Sequence, residues 1–208
     1  MPVKRRTGQN VLAAARERIA WTFANFPRVY VSFSGGKDST VMTHLVLEQA
    51  RQLGRKVGVF FVDLEAQYKL TIEHVEEMYA LYADVIEPYW VSLPINLRNA
   101  VSSYEPQWCC WEPGREADWV RQPSALSITD QACFPFYRPR MEFEDFVPEF
   151  GKWFGQGQPT ACFVGIRSDE SLNRWRTIAG DKACFDGLKW TTWVSEGLYN
   201  IYPIYDWK

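Results

Sequence analysis

The stretch "VYVSFSGGKDSTVMTHLVLEQA", residues 29–50, passes from apolar and β-branched residues through Ser-Gly-Gly into a helical pattern. Because "RVYVSF" is apolar almost throughout instead of alternating, it predicts a strand buried on both faces. Gly35 and Gly36 permit a tight turn and a close backbone approach that side chains would forbid. From Lys37 the periodicity predicts a helix to about Leu53, with Gly54 as its stop. A strand, a glycine turn and a helix N-terminus in this order make an anion cradle. Successive N–H groups point into one concavity, and the positive end of the helix faces the same place. Ser34 and Ser39 add hydroxyls there and Lys37 adds a charge. The spacing is not that of a Walker A loop, since Asp38 follows Lys37 and Val31 stands where its first glycine would be; G-x-G-x-x-G does not fit either.

Outward from this stretch the chain alternates. Leu12, Ala15, Ile19 and Phe23 recur at helical spacing before the first strand, with Asn10 or Thr7 as the cap. "KVGVFFVD" reads as a second buried strand, and Ile72, Val75, Met78, Tyr79 and Tyr82 mark one face of the next helix. "VIEPYWVSL" follows as a third strand. Such β/α alternation predicts a doubly wound, mainly parallel sheet with helices on both faces, in a single domain spanning residues 1–208. From Pro94 to about Arg140 the period breaks down among Pro, Trp, Gly and Ser, which predicts a functional loop or short elements. "FEDFVPEFGKWF" then reads as a helix interrupted at Pro148, "TACFVGI" as another buried strand, and "SDESLNRWRTI" as a helix capped by Ser168 or Asp169.

The formal net charge of -2 gives no broad basic footprint for nucleic acid, and Lys4, Arg5 and Arg6 read as a solvated tail. No run of 18 apolar residues and no secretory h-region occurs, so the expected setting is cytoplasmic, without a membrane. Five cysteines without a C-x-x-C suit reduced thiols. His44 and His74 lie in helical patterns and read as structural or surface residues. Trp108, Trp111 and Trp119 could stack on a base, although core packing is the ordinary use of such rings.

"SFSGGKDS" resembles the pyrophosphate-binding loop of the adenine nucleotide alpha-hydrolase-like, or PP-loop, superfamily. The resemblance implies binding of ATP or an adenylated compound, attack at the α-phosphate with release of pyrophosphate, and assistance from Mg²⁺. It assigns Ser34, Gly35, Gly36, Lys37, Asp38 and Ser39 to the phosphate, with Asp38 orienting the loop or Mg²⁺. "GIRSDESLNR" supplies a second cluster, in which Glu170 and Arg174 stand four apart and two guanidinium groups flank a helix start. Taken with the first loop, it is similar to the G-x-R-x-x-E-S-x-x-R region of the phosphoadenosine phosphosulfate reductase family. That similarity implies that Arg167 and Arg174 face the phosphate or sulfate end, and that Asp63, Glu65, Gln67 and Tyr68 lie near the nucleotide or a metal. "YNIYPIYDW" resembles the segment after which the family enters a further helix, so a C-terminal extension of relatives would be lacking here.

A narrower resemblance, to a subgroup related to the immunoglobulin-binding regulator A proteins, implies co-activation of prophage genes with a ParB-like partner. The family's reductase cysteine segment, Glu-Cys-Gly-(Leu or Ile)-His, does not occur. Cys109 and Cys110 supply half of an iron-sulfur pattern, but Cys133, Cys162 and Cys184 do not complete it, so no cluster is expected. Three functions follow: an adenine-nucleotide enzyme using ATP or phosphoadenosine phosphosulfate, with Lys37, Asp38 and Arg167 as its catalytic residues; a non-reducing regulator; and sulfur transfer to nucleic acid. The order of the strands in space is what the family resemblance implies and does not come from spacing, and assembly as a homodimer is left open.

Overall fold

The computed structural model describes residues 8–99, 104–179 and 183–207. The basic run of Lys4, Arg5 and Arg6 and the alternative cap Thr7 lie outside them. Helix α1 (Val11–Asn25) is capped by Asn10, whose Oδ1 accepts from the N–H groups of Leu12 at 2.8 Å and Ala13 at 3.4 Å. Then β1 (Arg28–Ser32), α2 (Lys37–Leu53), β2 (Val57–Val62), α3 (Lys69–Leu81) and β3 (Ile86–Val91) alternate as expected. Gly54 ends α2 in the left-handed conformation, with φ of 63°.

After β3 the chain forms a separate two-stranded hairpin, β4 (Ile95–Arg98) with β5 (Gln107–Cys110), and single helical turns at Glu116–Asp118 and Gln131–Cys133. Helix α4 (Phe143–Gly155) leads into β6 (Thr160–Val164), and α5 (Leu172–Ala179) precedes the antiparallel pair β7 (Thr191–Ser195) and β8 (Leu198–Ile201). The main sheet has the order β3-β2-β1-β6-β8-β7 and is parallel apart from β7. Pro88 is tolerated in β3 because that strand forms an edge of the sheet.

Alternate residues of each central strand enter two separate cores, which is why the strands read as continuous apolar runs. Val29, Val31, Val57, Val59, Phe61 and Phe163 pack beneath α1, α2 and α3. Tyr30, Phe60, Cys162 and Leu198 face the other way, against Phe146, Phe150 and Phe154 of α4 and residues of the 93–141 excursion. Phe60 and Phe150 stack with centroids 3.9 Å apart. This aromatic layer carries α4 straight through Pro148, contrary to the expected interruption. The proline removes one N–H donor, but burial of Phe146, Phe150 and Phe154 outweighs that loss, since each large apolar side chain contributes about 1.5–3 kcal/mol.

Candidate functional site

In a doubly wound sheet the chain leaves the first strand toward one edge and later returns to pair on its other side. A crevice opens beyond the carboxyl ends of the strands at that reversal. Here β1 connects onward to β2 and β3, while β6 pairs with the free side of β1. The reversal therefore falls between β1 and β6. The Ser34–Ser39 loop follows β1, and Gly165, Ile166 and Arg167 follow β6, so two motifs about 130 residues apart in sequence meet at one crevice.

The loop is internally wired. Gly36 N–H donates to Ser34 Oγ at 3.4 Å, the two serine hydroxyls lie 2.9 Å apart, and Ser39 Oγ donates to the Gly36 carbonyl at 2.9 Å. Gly35 has φ of 71°, and a Cβ there would lie 2.7 Å from Thr71 Cγ2, so both conformation and contact with α3 require glycine. The first intrahelical donor of α2 is Thr40 N–H, to the Gly36 carbonyl at 2.9 Å, and no side chain caps the helix. The N–H groups ahead of it are thus oriented outward at the positive end of a 17-residue helix. Lys37 is exposed beside them.

Gly165 brings the two motifs together. A Cβ on it would stand 2.6 Å from Ser39 Cα and 2.9 Å from Ser39 N, so only glycine lets the end of β6 lie against the first turn of α2. Two residues on, Arg167 Nε approaches Asp38 Oδ2 to 3.1 Å in an ion pair whose angles do not make a hydrogen bond. Glu170 accepts from Arg167 N–H at 3.1 Å and pairs with the Arg174 guanidinium. Asp38 pairs with Arg167 and Glu170 with Arg174, and the Arg167 backbone N–H ties the two ion pairs together.

Helix α5 begins later than expected. Ser168 is occupied, its N–H and Oγ both donating to the Tyr205 carbonyl at 2.9 Å, and Ser171 Oγ instead accepts from Arg174 N–H at 3.2 Å. Ser171, not Ser168 or Asp169, is the capping residue.

Asp63, Glu65 and Tyr68 are placed differently from the loop residues. Asp63 is fully buried; it accepts from Trp90 Nε1 at 3.0 Å, Glu65 N at 3.1 Å and Ser92 Oγ at 3.4 Å, and pairs with Arg121. Glu65, at φ of 62°, accepts from Trp111 N at 2.7 Å and Val120 N at 3.0 Å. Trp111 Nε1 donates to the Asp63 carbonyl at 2.7 Å. Both carboxylates therefore fasten the 107–121 segment to the end of β2. Trp111 and Trp119 pack edge to face in this fastening, while Trp108 is 36% exposed. Tyr68 is 86% exposed at the start of α3.

Gly165 carries no role in the motif reading, although a glycine directly after a buried strand is the signal for close backbone approach. Arg121 and Trp111 carried no such signal, because their partners stand about 50 residues away.

Among the described residues, no group of three or more His, Cys, Asp or Glu is disposed to hold a metal. Asp38 is the carboxylate on the loop, and one carboxylate with phosphate oxygens and water suffices for Mg²⁺ carried by a nucleotide. His44 Nδ1 lies 2.7 Å from Tyr82 OH, a tie between α2 and α3. Burial pushes the Cys110 and Cys162 thiols up to about 12, and burial also raises that of Cys109. A cleft of about 560 Å³ among Gly151, Thr160, Ser195 and Gly197 opens at the opposite end of β6, away from both motifs.

A family model for the phosphoadenosine phosphosulfate reductase domain matches residues 28–122, the part of the chain that holds the loop and the first three strands. An uncharacterized protein of Escherichia coli strain K12, YbdN, is 54% identical over 203 residues, which cover 96% of this chain. The match takes in 50% of YbdN, so the chain spans about half the length of that relative. The fold is similar to that of phosphoadenylyl-sulfate reductase from Candida auris, solved with phosphate, at a TM-score of 0.50 and 16% identity, covering 99% of this chain and 83% of that one. It is equally similar, at 0.50 and 15% identity, to Candida glabrata FMN adenylyltransferase solved with FAD and inorganic pyrophosphate, covering 100% of this chain and 57% of that one. No helix among the described residues is long and apolar enough to cross a membrane.

Proposed function

We propose that the chain binds ATP or a sulfated adenylate in the crevice between β1 and β6 and that, with ATP as the ligand, water or an acceptor nucleophile attacks the α-phosphate as the bond to the β-phosphate breaks and pyrophosphate leaves. The observation that carries this is the meeting of the uncapped α2 N-terminus and Arg167 at the reversal of the sheet. The Gly36–Ser39 turn supplies N–H donors, Ser34 and Ser39 supply hydroxyls, and Lys37 supplies a charge for the departing pyrophosphate. Such preorganised donors favour the transition state because the leaving group gains charge as the bond breaks. Arg167 and Arg174 serve the second anionic group, and Asp38 sets the Arg167 guanidinium at the edge of the loop. Mg²⁺ bound with the nucleotide would neutralise phosphate charge, with Asp38 as its protein carboxylate.

A second reading, a non-reducing regulator that binds nucleotide while acting with a ParB-like partner, is favoured by the thiols. Cys110 and Cys162 are buried, and their raised pKa values leave little thiolate near neutral pH. Calorimetric titration with Mg-ATP and, separately, with phosphoadenosine phosphosulfate tests the nucleotide site, with Lys37→Ala as the control. Saturable binding to one ligand, lost in the variant, is expected. Heat indifferent to the substitution would remove the loop from the account.

A further inference from the structure

The Gly36 carbonyl is the most heavily used acceptor in the loop. It receives Thr40 N–H, Thr40 Oγ1 and Ser39 Oγ, each at 2.9 Å. Thr40 Oγ1 also lies 2.9 Å from His74 Nε2, on α3. A carbonyl only accepts, so the single hydroxyl hydrogen of Thr40 points to Gly36, and the histidine must be the donor through Nε2–H. This assignment of the hydroxyl hydrogen selects the Nε2–H form of the ring. Phe33 at the end of β1 packs beside the ring, with centroids 6.1 Å apart.

This relay has a geometric consequence. A peptide unit is planar and trans, so the carbonyl of Gly36 and the N–H of Lys37 point in opposite directions within one rigid plane. Holding the carbonyl inward, toward the first turn of α2, holds the Lys37 N–H outward, toward the crevice. The Ser39 hydroxyl binds this carbonyl from within the loop, whereas His74 acts on it from another element, through Thr40. It therefore references the cradle to the body of α3.

We propose that His74 is a positioning residue for the phosphate cradle, acting through Thr40 and the Gly36 carbonyl on the Lys37 N–H. The proposal rests on the nucleotide reading above. It requires no contact between the imidazole and the ligand, and it makes Thr40 and His74 one unit, so their removal should not be additive.

The test is calorimetric titration of the full chain with Mg-ATP and with inorganic pyrophosphate, for the unsubstituted protein, His74→Ala, Thr40→Val, the double variant, His74→Gln and Lys37→Ala. Loss of one oriented donor predicts a Kd raised about fivefold for both ligands in His74→Ala. Thr40→Val should match it, and the double variant should go no further. Glutamine, whose amide also presents an N–H, should restore affinity to within about twofold, which a purely space-filling role for the ring would not produce. Thermal melts separate any loss of folding from loss of binding. Tight binding that Lys37→Ala abolishes but His74→Ala leaves unchanged overturns the relay alone, as does a double variant whose loss is the product of the single ones. Absent binding, or binding indifferent to Lys37→Ala, overturns the nucleotide reading itself.

Discussion

Replacing Gly165 by alanine tests whether the two motifs depend on backbone contact. The new Cβ would stand 2.6 Å from Ser39 Cα, about 0.8 Å short of the 3.4 Å at which ordinary contact begins, and the opposing atoms are backbone that cannot rotate away. The end of β6 and the first turn of α2 must separate by most of that distance. Overpacking of this kind costs about 1–3 kcal/mol, and a domain of this size loses about 2–4 °C in Tm per kcal/mol, so a fall near 6 °C is expected. The displacement also draws Arg167 away from Asp38, 3.1 Å apart in the native arrangement. A misplacement approaching 1 Å in a binding constellation predicts a ten- to hundredfold loss in nucleotide affinity. Gly36→Ala is the contrast. Its Cβ would meet only Ser34 Oγ, at 3.5 Å, and its φ of -79° suits any residue, so its Tm should move by less than about 4 °C, the cost of a poorer helix cap. Differential scanning calorimetry with ligand titration reads both quantities. If Gly165→Ala melts and binds like the native protein, the claim that Gly165 sets the crevice is wrong.

Asp63→Ala leaves the Arg121 guanidinium, itself largely buried, without its carboxylate, and should destabilise by about 3–5 kcal/mol in urea denaturation. Glu65→Ala frees the N–H groups of Trp111 and Val120 and should expose the 107–121 segment to limited proteolysis before the rest of the fold. The buried thiols set an alkaline limit. Cys110 and Cys162 hold their protons to about 12, whereas the unfolded chain releases them near 9.0, so the unfolded state binds fewer protons in that window. Stability should be flat below pH 9 from these groups and fall between pH 9 and 12, by up to about 1.4 kcal/mol per pH unit for each thiol. Urea midpoints at successive pH values check this, and Cys162→Ala should make the slope shallower. At pH 8 an alkylating reagent followed by peptide mapping should mark the exposed Cys133 well before Cys110 or Cys162.

The parallel core was readable because its strands are buried on two faces and its helices are amphipathic, so composition alone separates "KVGVFFVD" from the helix that follows. The cradle was readable for a related reason, since glycine, hydroxyl and cation stand in consecutive positions from Ser34 to Ser39. The 94–140 excursion obeys no period because long-range contacts fix it: Glu65 to Trp111 and Val120, Arg121 to Asp63, and Tyr137 OH to the Pro94 carbonyl at 2.7 Å. Local propensity favoured Ser168 or Asp169 as the cap of α5, but the Tyr205 carbonyl, on the C-terminal segment, claims Ser168 first. Proline marked α4 for interruption, and a tertiary layer of phenylalanines carried the helix through. Asp63 and Glu65 are candidate ligand residues through the family resemblance alone; in the fold Asp63 accepts from Trp90 and Ser92 and pairs with Arg121, and Glu65 accepts from Trp111 and Val120, contacts that no local pattern announces.

The most direct measurement is a crystal structure of the protein soaked with ATP and Mg²⁺. Phosphate density is expected against the N-terminus of α2, between the ends of β1 and β6, within hydrogen-bond reach of the Lys37 to Ser39 N–H groups and beside Arg167. Phosphates bound elsewhere, for instance in the Gly151 and Gly197 cleft at the far end of β6, would contradict it.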